Sequence, residues 1–158
     1  MTTTIPAVSK TVTVNAPIER AFRVFTEQFN SWWPQGHHIR PVDLAEAVLE
    51  VREGGRWYER SVDGGECDWG RVLAIDPPHR LLLSWQINGS FEHDPDPANA
   101  SEIEVRFTEL GAGQTRVDVE HRAFERHGAD GQRVHDGVSG EGGWSGILDG
   151  YAKVAEAA

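Results

Sequence analysis

Between residues 43 and 122 the chain is interrupted about every ten residues by a turn signal: Glu53-Gly54-Gly55, Asp63-Gly64-Gly65, Asp76-Pro77-Pro78 and Gly111-Ala112-Gly113. The segments between these turns alternate. Leu81, Leu83, Trp85 and Ile87 share one face. Ile103, Val105 and Phe107 stand opposite Glu102, Glu104 and Arg106, and Val117, Val119 and His121 stand opposite Arg116, Asp118 and Glu120. Alternation at period two makes a sheet with one apolar and one wet side. Connections this short join antiparallel neighbours. The apolar side must be covered, and that requirement limits the fold more than anything else in the sequence.

The flanking segments supply the cover. Ala7 to Val14 alternates and is rich in β-branched residues, so it reads as a further strand, with Lys10 discordant on its apolar face. Asn15 is in place for an N-cap and Pro17 for a first-turn proline. Ile18, Ala21, Phe22, Phe25 and Phe29 follow at helical spacing, which predicts a helix over 17–29. A short second helix or turn over 30–34 carries Trp32 and Trp33. At the far end Trp144, Ile147, Leu148, Tyr151, Val154 and Ala155 form one helical stripe, with Asp149, Lys153 and Glu156 facing away. Residues 125–138 allow a short helix around 130–137. Asn88 to Ala100, with Asp94-Pro95-Asp96-Pro97, cannot be an interior strand and reads as a loop at a cavity mouth or sheet edge.

The order is strand, two helices, about six strands, long helix. The expected fold class is α+β: a helix-grip fold in which a curved antiparallel sheet of about seven strands (β-α-α-β6-α) wraps a long C-terminal helix. The gap between sheet and helix is the natural place for a ligand.

A chain of 158 residues suits one domain spanning 1–158. Its net charge of −10 disfavours nucleic acid and anionic membranes as partners. No apolar run approaches the roughly 18–20 residues that span a bilayer. The single cysteine excludes an intrachain disulfide and suits a reducing compartment. Residues 1–6 lack the basic start and apolar run of a signal peptide, so a cytoplasmic location is expected. A homodimer is left open.

Five segments together resemble the START-like (SRPBCC) superfamily. They are Val14-Asn15-Ala16-Pro17-Ile18-Glu19-Arg20-Ala21-Phe22, Gly54-Gly55-Arg56-Trp57-Tyr58-Glu59, Gly70-Arg71-Val72-Leu73, Asp76-Pro77-Pro78-His79-Arg80-Leu81, and Gly143-Trp144 before the last helix. They are most similar to the branch named after the C-terminal domain of the activator of the heat-shock-protein-90 ATPase. The resemblance spans about residues 7–156 and implies the helix-grip fold. On function it is broad, because that superfamily includes lipid carriers, hormone receptors and polyketide cyclases.

The candidate pocket residues are Trp33, Trp57, Glu59, Cys67, Trp69, Trp85, His121, Trp144 and Tyr151. Indoles give large apolar contact area at small entropic cost and carry one N–H donor, although any one of them could equally be plain core. His121 shares the inward face of Val117 and Val119, and Glu59 shares a strand face with Trp57. The two are the only candidates for a catalytic acid–base pair. The structural alternatives are a backbone-satisfied histidine and a Glu59–Arg pair at the rim. Cys67 lacks the activating neighbours of a nucleophile. The histidines, including the adjacent His37 and His38, show no ligand spacing, so no metal and no cofactor is expected. The sequence therefore favours binding of a small apolar ligand, aromatic, polyketide or acyl. A cyclase- or hydrolase-like enzyme and a co-chaperone-like interaction module are the alternatives.

Overall fold

The computed structural model describes residues 5–157; the N-terminal segment read for targeting lies largely outside them, as do the side chains of residues 141 and 142. Seven strands form one antiparallel sheet: β1 Val8–Val14, β2 Leu44–Leu49, β3 Arg56–Ser61, β4 Glu66–Asp76, β5 Arg80–Trp85, β6 Ser101–Gly111 and β7 Gln114–Arg122. Their spatial order is β1-β7-β6-β5-β4-β3-β2. Consecutive strands from β2 to β7 are neighbours, as hairpin turns require. The first strand returns to β7, where Val12 sits opposite Val117. The sheet curls into a half-barrel around the C-terminal helix, the helix-grip architecture.

The concave face buries Leu81, Leu83, Ile103, Val105, Val117 and Val119, the residues whose alternation announced the sheet. Helix α1 (Ile18–Thr26) and the short α2 (Phe29–Trp32) cross one end. Helix α3 (Gly131–Ser139) leads through a π-helical turn, Glu141–Ser145, into α4 (Gly146–Ala157). In α4, Ile147, Leu148, Tyr151 and Ala155 point into the sheet. The Tyr151 hydroxyl donates to Ala21 O at 2.6 Å, which ties α4 to α1.

Two details of the first helix differ from expectation. The helix expected over 17–29 is two pieces, because the backbone at Gln28 leaves the helical region (φ −108°, ψ 30°). Asn15 does not cap it. Its N–H donates to Glu156 Oε2 at 2.8 Å, and the extended Pro17 occupies the N-cap. Asn15 therefore fastens the start of α1 to the end of α4 rather than satisfying α1 itself.

The convex face was expected to be solvated, but Glu104 is only 4% exposed. Guanidinium groups cover it. Arg122 Nη1 donates at 2.7 Å, Arg106 Nη2 at 3.1 Å, and Arg80 Nε also donates. Glu102 and Glu120 extend the network through Arg122. Burial pushes the Glu104 carboxyl up, yet the bonds from Arg122, Arg80 and Arg106 outweigh it and hold the pKa down to about 2. A depressed carboxylate stabilises the fold above its ordinary value near 4.5, and that contribution is lost as pH falls toward 2. Glu104→Gln should therefore cost about 1–2 kcal/mol at pH 7, since the partners are half-exposed. It should also flatten the loss of Tm between pH 4.5 and 2. Parallel Tm–pH curves for both proteins would remove Glu104 from this role.

The sheet is open, so β1 and β2 are edges. On β2, Asn30 Oδ1 accepts from Ala47 N–H at 2.8 Å, and the β2/β3 register shifts between Leu44 and Glu46. Among the described residues no helix is long and apolar enough to cross a membrane.

Candidate functional site: an indole-lined cavity

The indoles are brought together by an irregularity in β4. Trp57 pairs with Gly70 and Tyr58 with Asp68, so Trp69 is the extra residue of a bulge. A bulge re-aims its residue. Trp69 here turns inward, 1% exposed, with its ring centre 5.3 Å from Trp57 and 5.0 Å from Trp33. Trp85 completes the group at 5.4 Å from Trp57. Trp144 enters from the opposite wall, on the π-helical turn before α4.

Between these walls lies a cavity of about 320 Å³. This is at the small end of ligand-site volumes, which run from roughly 300 to 1,000 Å³. Trp33, Trp57, Trp69, Trp85 and Trp144 line it, with Ile87 and Ile147. The indole N–H groups are mostly spent inside the protein. Trp33 donates to His37 O at 2.9 Å, Trp57 to Ser84 O at 2.8 Å and Trp69 to Glu59 Oε1 at 2.9 Å. The cavity is thus walled mainly by apolar indole carbon rather than by free donors, which suits an apolar guest.

Of the other sequence candidates, His121 is part of the wall yet fully buried. Trp144 Nε1–H points at its Nδ1 (3.3 Å), so in the neutral ring the proton is on Nε2 and faces Ser101 Oγ (2.7 Å). Ser101 Oγ in turn lies 2.8 Å from His127 Nε2. Burial, reinforced by His127 and His135, drives the His121 pKa down to about 3. It is a neutral tie joining β7, β6 and the turn before α4.

Glu59, Cys67 and Tyr151 do not line the cavity. Glu59 is fully buried behind Trp69 and accepts three bonds: Trp69 Nε1, Ile39 N–H at 2.5 Å and Arg40 N–H at 3.0 Å. It holds the 37–40 segment against the sheet. Its partner is the Arg40 backbone, while the guanidinium pairs with Asp63 at 2.7 Å. Glu59 and His121 are four strand spacings apart along the sheet, roughly 19 Å of arc, so the expected acid–base pair does not form. Cys67 sits opposite Glu59 in the ladder. Burial first, then Glu59 and Asp68, raise its thiol to about 11, the reverse of a nucleophile. Tyr151 lies deeper, against Phe25 and Trp32, and burial pushes its phenol up.

The mouth is made by residues that alternation could not identify: His37, His38, Asn88, Gly89, Phe91, Arg133 and Val138. The 88–100 loop, read as a mouth or a sheet-edge element, contributes Phe91, 70% exposed, with φ 59°. The short helix allowed around 130–137 is α3, but its place on the cavity wall was not legible, because Val134 and Val138 are its only large apolar residues. Among the described residues, no three His, Cys, Asp or Glu side chains are grouped as a metal site needs.

The sequence matches the family described as activator of Hsp90 ATPase homolog 1-like protein over residues 15–156. The chain belongs to that family. Like other START-like domains, this Hsp90-activator-like chain has solved relatives that cover it almost end to end. One, described as an anthrahydroquino-γ-pyrone synthase, Txn09, complexed with SUM, is 41% identical, with 98% of this chain and 99% of that one covered and a TM-score of 0.68. A second is CalC from Micromonospora echinospora, described as a self-sacrificing resistance protein, at 34% identity, 96% and 95% coverage and TM-score 0.69. A third, protein NE0264 from Nitrosomonas europaea, shares the fold at 17% identity, with 96% and 94% coverage and TM-score 0.65. No curated protein matches the chain. The family and its neighbours are consistent with ligand binding or cyclase-type activity in this Hsp90-activator-like fold.

Proposed function

We propose that the cavity binds a small, flat aromatic molecule of the polyketide type, stacked among Trp33, Trp57, Trp69 and Trp85. The observation that carries this reading is the set of five indoles around one space of about 320 Å³. The 41% identity to a synthase that makes a fused aromatic pyrone supports the same chemical class. It also favours a second reading, cyclase-type turnover of such a molecule. In that case the cavity would act by orienting a reactive chain and excluding water, since Glu59 and His121 do not meet.

Titration with anthraquinone should quench tryptophan fluorescence saturably, with Kd in the micromolar range expected for a guest of this size. Trp85 is the least buried of the sheet indoles, so Trp85→Ala tests the wall with least harm to the core. It should weaken binding about tenfold, or ~1.4 kcal/mol. An intact-complex mass spectrum of natively purified protein should carry ligand mass that disappears on denaturation. Linear, unsaturable quenching that Trp85→Ala leaves unchanged would refute the reading.

A further inference from the structure

The sequence has 25 acidic residues against 15 basic ones, yet among the described residues no carboxylate lines the cavity. Its one lining side chain with a permanent charge is Arg133, on the face of α3 that borders the mouth. Arg40, Arg56, Arg80 and Arg122 are each locked to carboxylates. Arg133 has no hydrogen bond or ion pair among the described residues. Two carboxylates stand three residues to either side of it, neither of them on the cavity wall nor ion-paired to Arg133 among the described residues. Asp130, one turn earlier, accepts from Gly89 N–H at 3.3 Å, and Asp136 is taken by His135 at 3.0 Å and Gln132 at 2.9 Å.

The placement of Arg133 depends on its surroundings. A Cβ at Gly89 would come 3.0 Å from Asp130 Cβ and Cγ and 3.1 Å from Arg133 Cδ, so the bare backbone of the loop lets both side chains lie against it. The stem is therefore held at the rim while the guanidinium keeps its donors. Asn88, His37 and His38 border the same mouth. His38 donates Nδ1–H to Arg40 O at 2.7 Å, so its ring too is fixed in place. An anionic guest approaching a chain of net charge −10 is repelled over most of the surface. An unpaired guanidinium on a cavity wall that holds no described carboxylate offsets that repulsion at the mouth, and its fork of N–H donors matches an oxyanion.

We propose that Arg133 is an anion anchor and that the cavity's guest is an aromatic acid. Its rings enter among the indoles, and an ionised oxygen, carboxylate or phenolate, remains at the mouth against α3. This rests on the cavity being an aromatic ligand site and adds the charge of the ligand to it.

The test compares three probes by tryptophan quenching at fixed pH: anthraquinone, anthraquinone-2-carboxylate and a hydroxyanthraquinone above its phenol pKa. The wild-type chain should bind at least one ionised probe up to about fivefold more tightly than the neutral one, the upper end of what an exposed ion pair gives. Arg133→Gln should abolish that preference, bringing the ionised and neutral probes to the same affinity. Arg133→Lys should retain part of it, and 0.5 M salt should shrink it. Which ionised probe gains identifies the acid. Equal affinity for all three probes in the wild type, or an Arg133→Gln effect common to all three, would overturn the anchor while leaving the aromatic cavity in place. Failure of every probe, the neutral one included, would overturn both.

Discussion

Gly70→Ala is expected to cost about 3–4 kcal/mol and lower Tm by roughly 10 °C, a large effect for one methyl group on an interior strand. The reason lies at Ser84. There the β4/β5 ladder is irregular: Arg71 N–H donates to the Ser84 hydroxyl at 2.9 Å, and the Ser84 carbonyl turns to accept from Trp57 Nε1 at 2.8 Å. A Cβ at Gly70 would lie 1.9 Å from that carbonyl oxygen and 2.6 Å from Trp57 Nε1. Neither neighbour is a flexible side-chain end, since one is backbone and the other is a packed indole. Relief requires β4 and β5 to part or Trp57 to swing out, and either breaks the indole hydrogen bond and opens the core. Thermal denaturation measures the loss, and anthraquinone titration reads the displacement of the Trp57 wall. A Tm within 2–3 °C of wild type would mean the strands yield at this point and the close approach is not structural.

Glu59→Ala should be comparably damaging, about 3–4 kcal/mol, because it leaves three donors, one buried and two part-buried, without an acceptor. Glu59→Gln tests the same idea more gently. Its amide keeps one acceptor oxygen but turns an NH2 group toward a donor, which should cost about 2 kcal/mol. The distinguishing readout is local. In Glu59→Gln, amide exchange at Ile39 and Arg40 should accelerate far more than exchange in β6 and β7, because Glu59 is what fastens that segment to the sheet. Probe affinity should fall with it, since His37 and Ile39 form part of the cavity wall. Uniform acceleration across the whole sheet would show instead that Glu59 contributes only to global stability.

The half of the molecule made of regular sheet was legible in the sequence. Ile103, Val105, Phe107, Val117 and Val119 alternate, and each is buried where the alternation places it. Of the indoles, alternation placed Trp85 alone, on the face of Leu81, Leu83 and Ile87. Alternation could not say what covers an outward residue: Glu104 lies under arginines from two neighbouring strands, whose alignment depends on register. Nor could it show the β4 bulge that turns Trp69 inward, or place Glu59 and His121, which share an inward orientation but sit far apart in strand order. The mouth was least legible. Arg133 belongs to a helix rich in glycine and polar residues, and its significance comes from its place on the wall of a cavity that no described carboxylate lines.

The side-chain cap on β2 has a consequence for how copies of this chain can meet. An open half-barrel exposes two rows of backbone donors and acceptors, and a bare row invites strand addition and runaway polymerisation. On β2, Asn30 occupies the Ala47 amide and the shifted register near Glu46 breaks the even spacing an incoming strand would need. The residue that closes this edge is carried by the same short helix that brings Trp32 into the core. Self-association through a continuous intermolecular sheet is thereby blocked at β2, and loosening α2 would release a templating edge as well as a wall of the core.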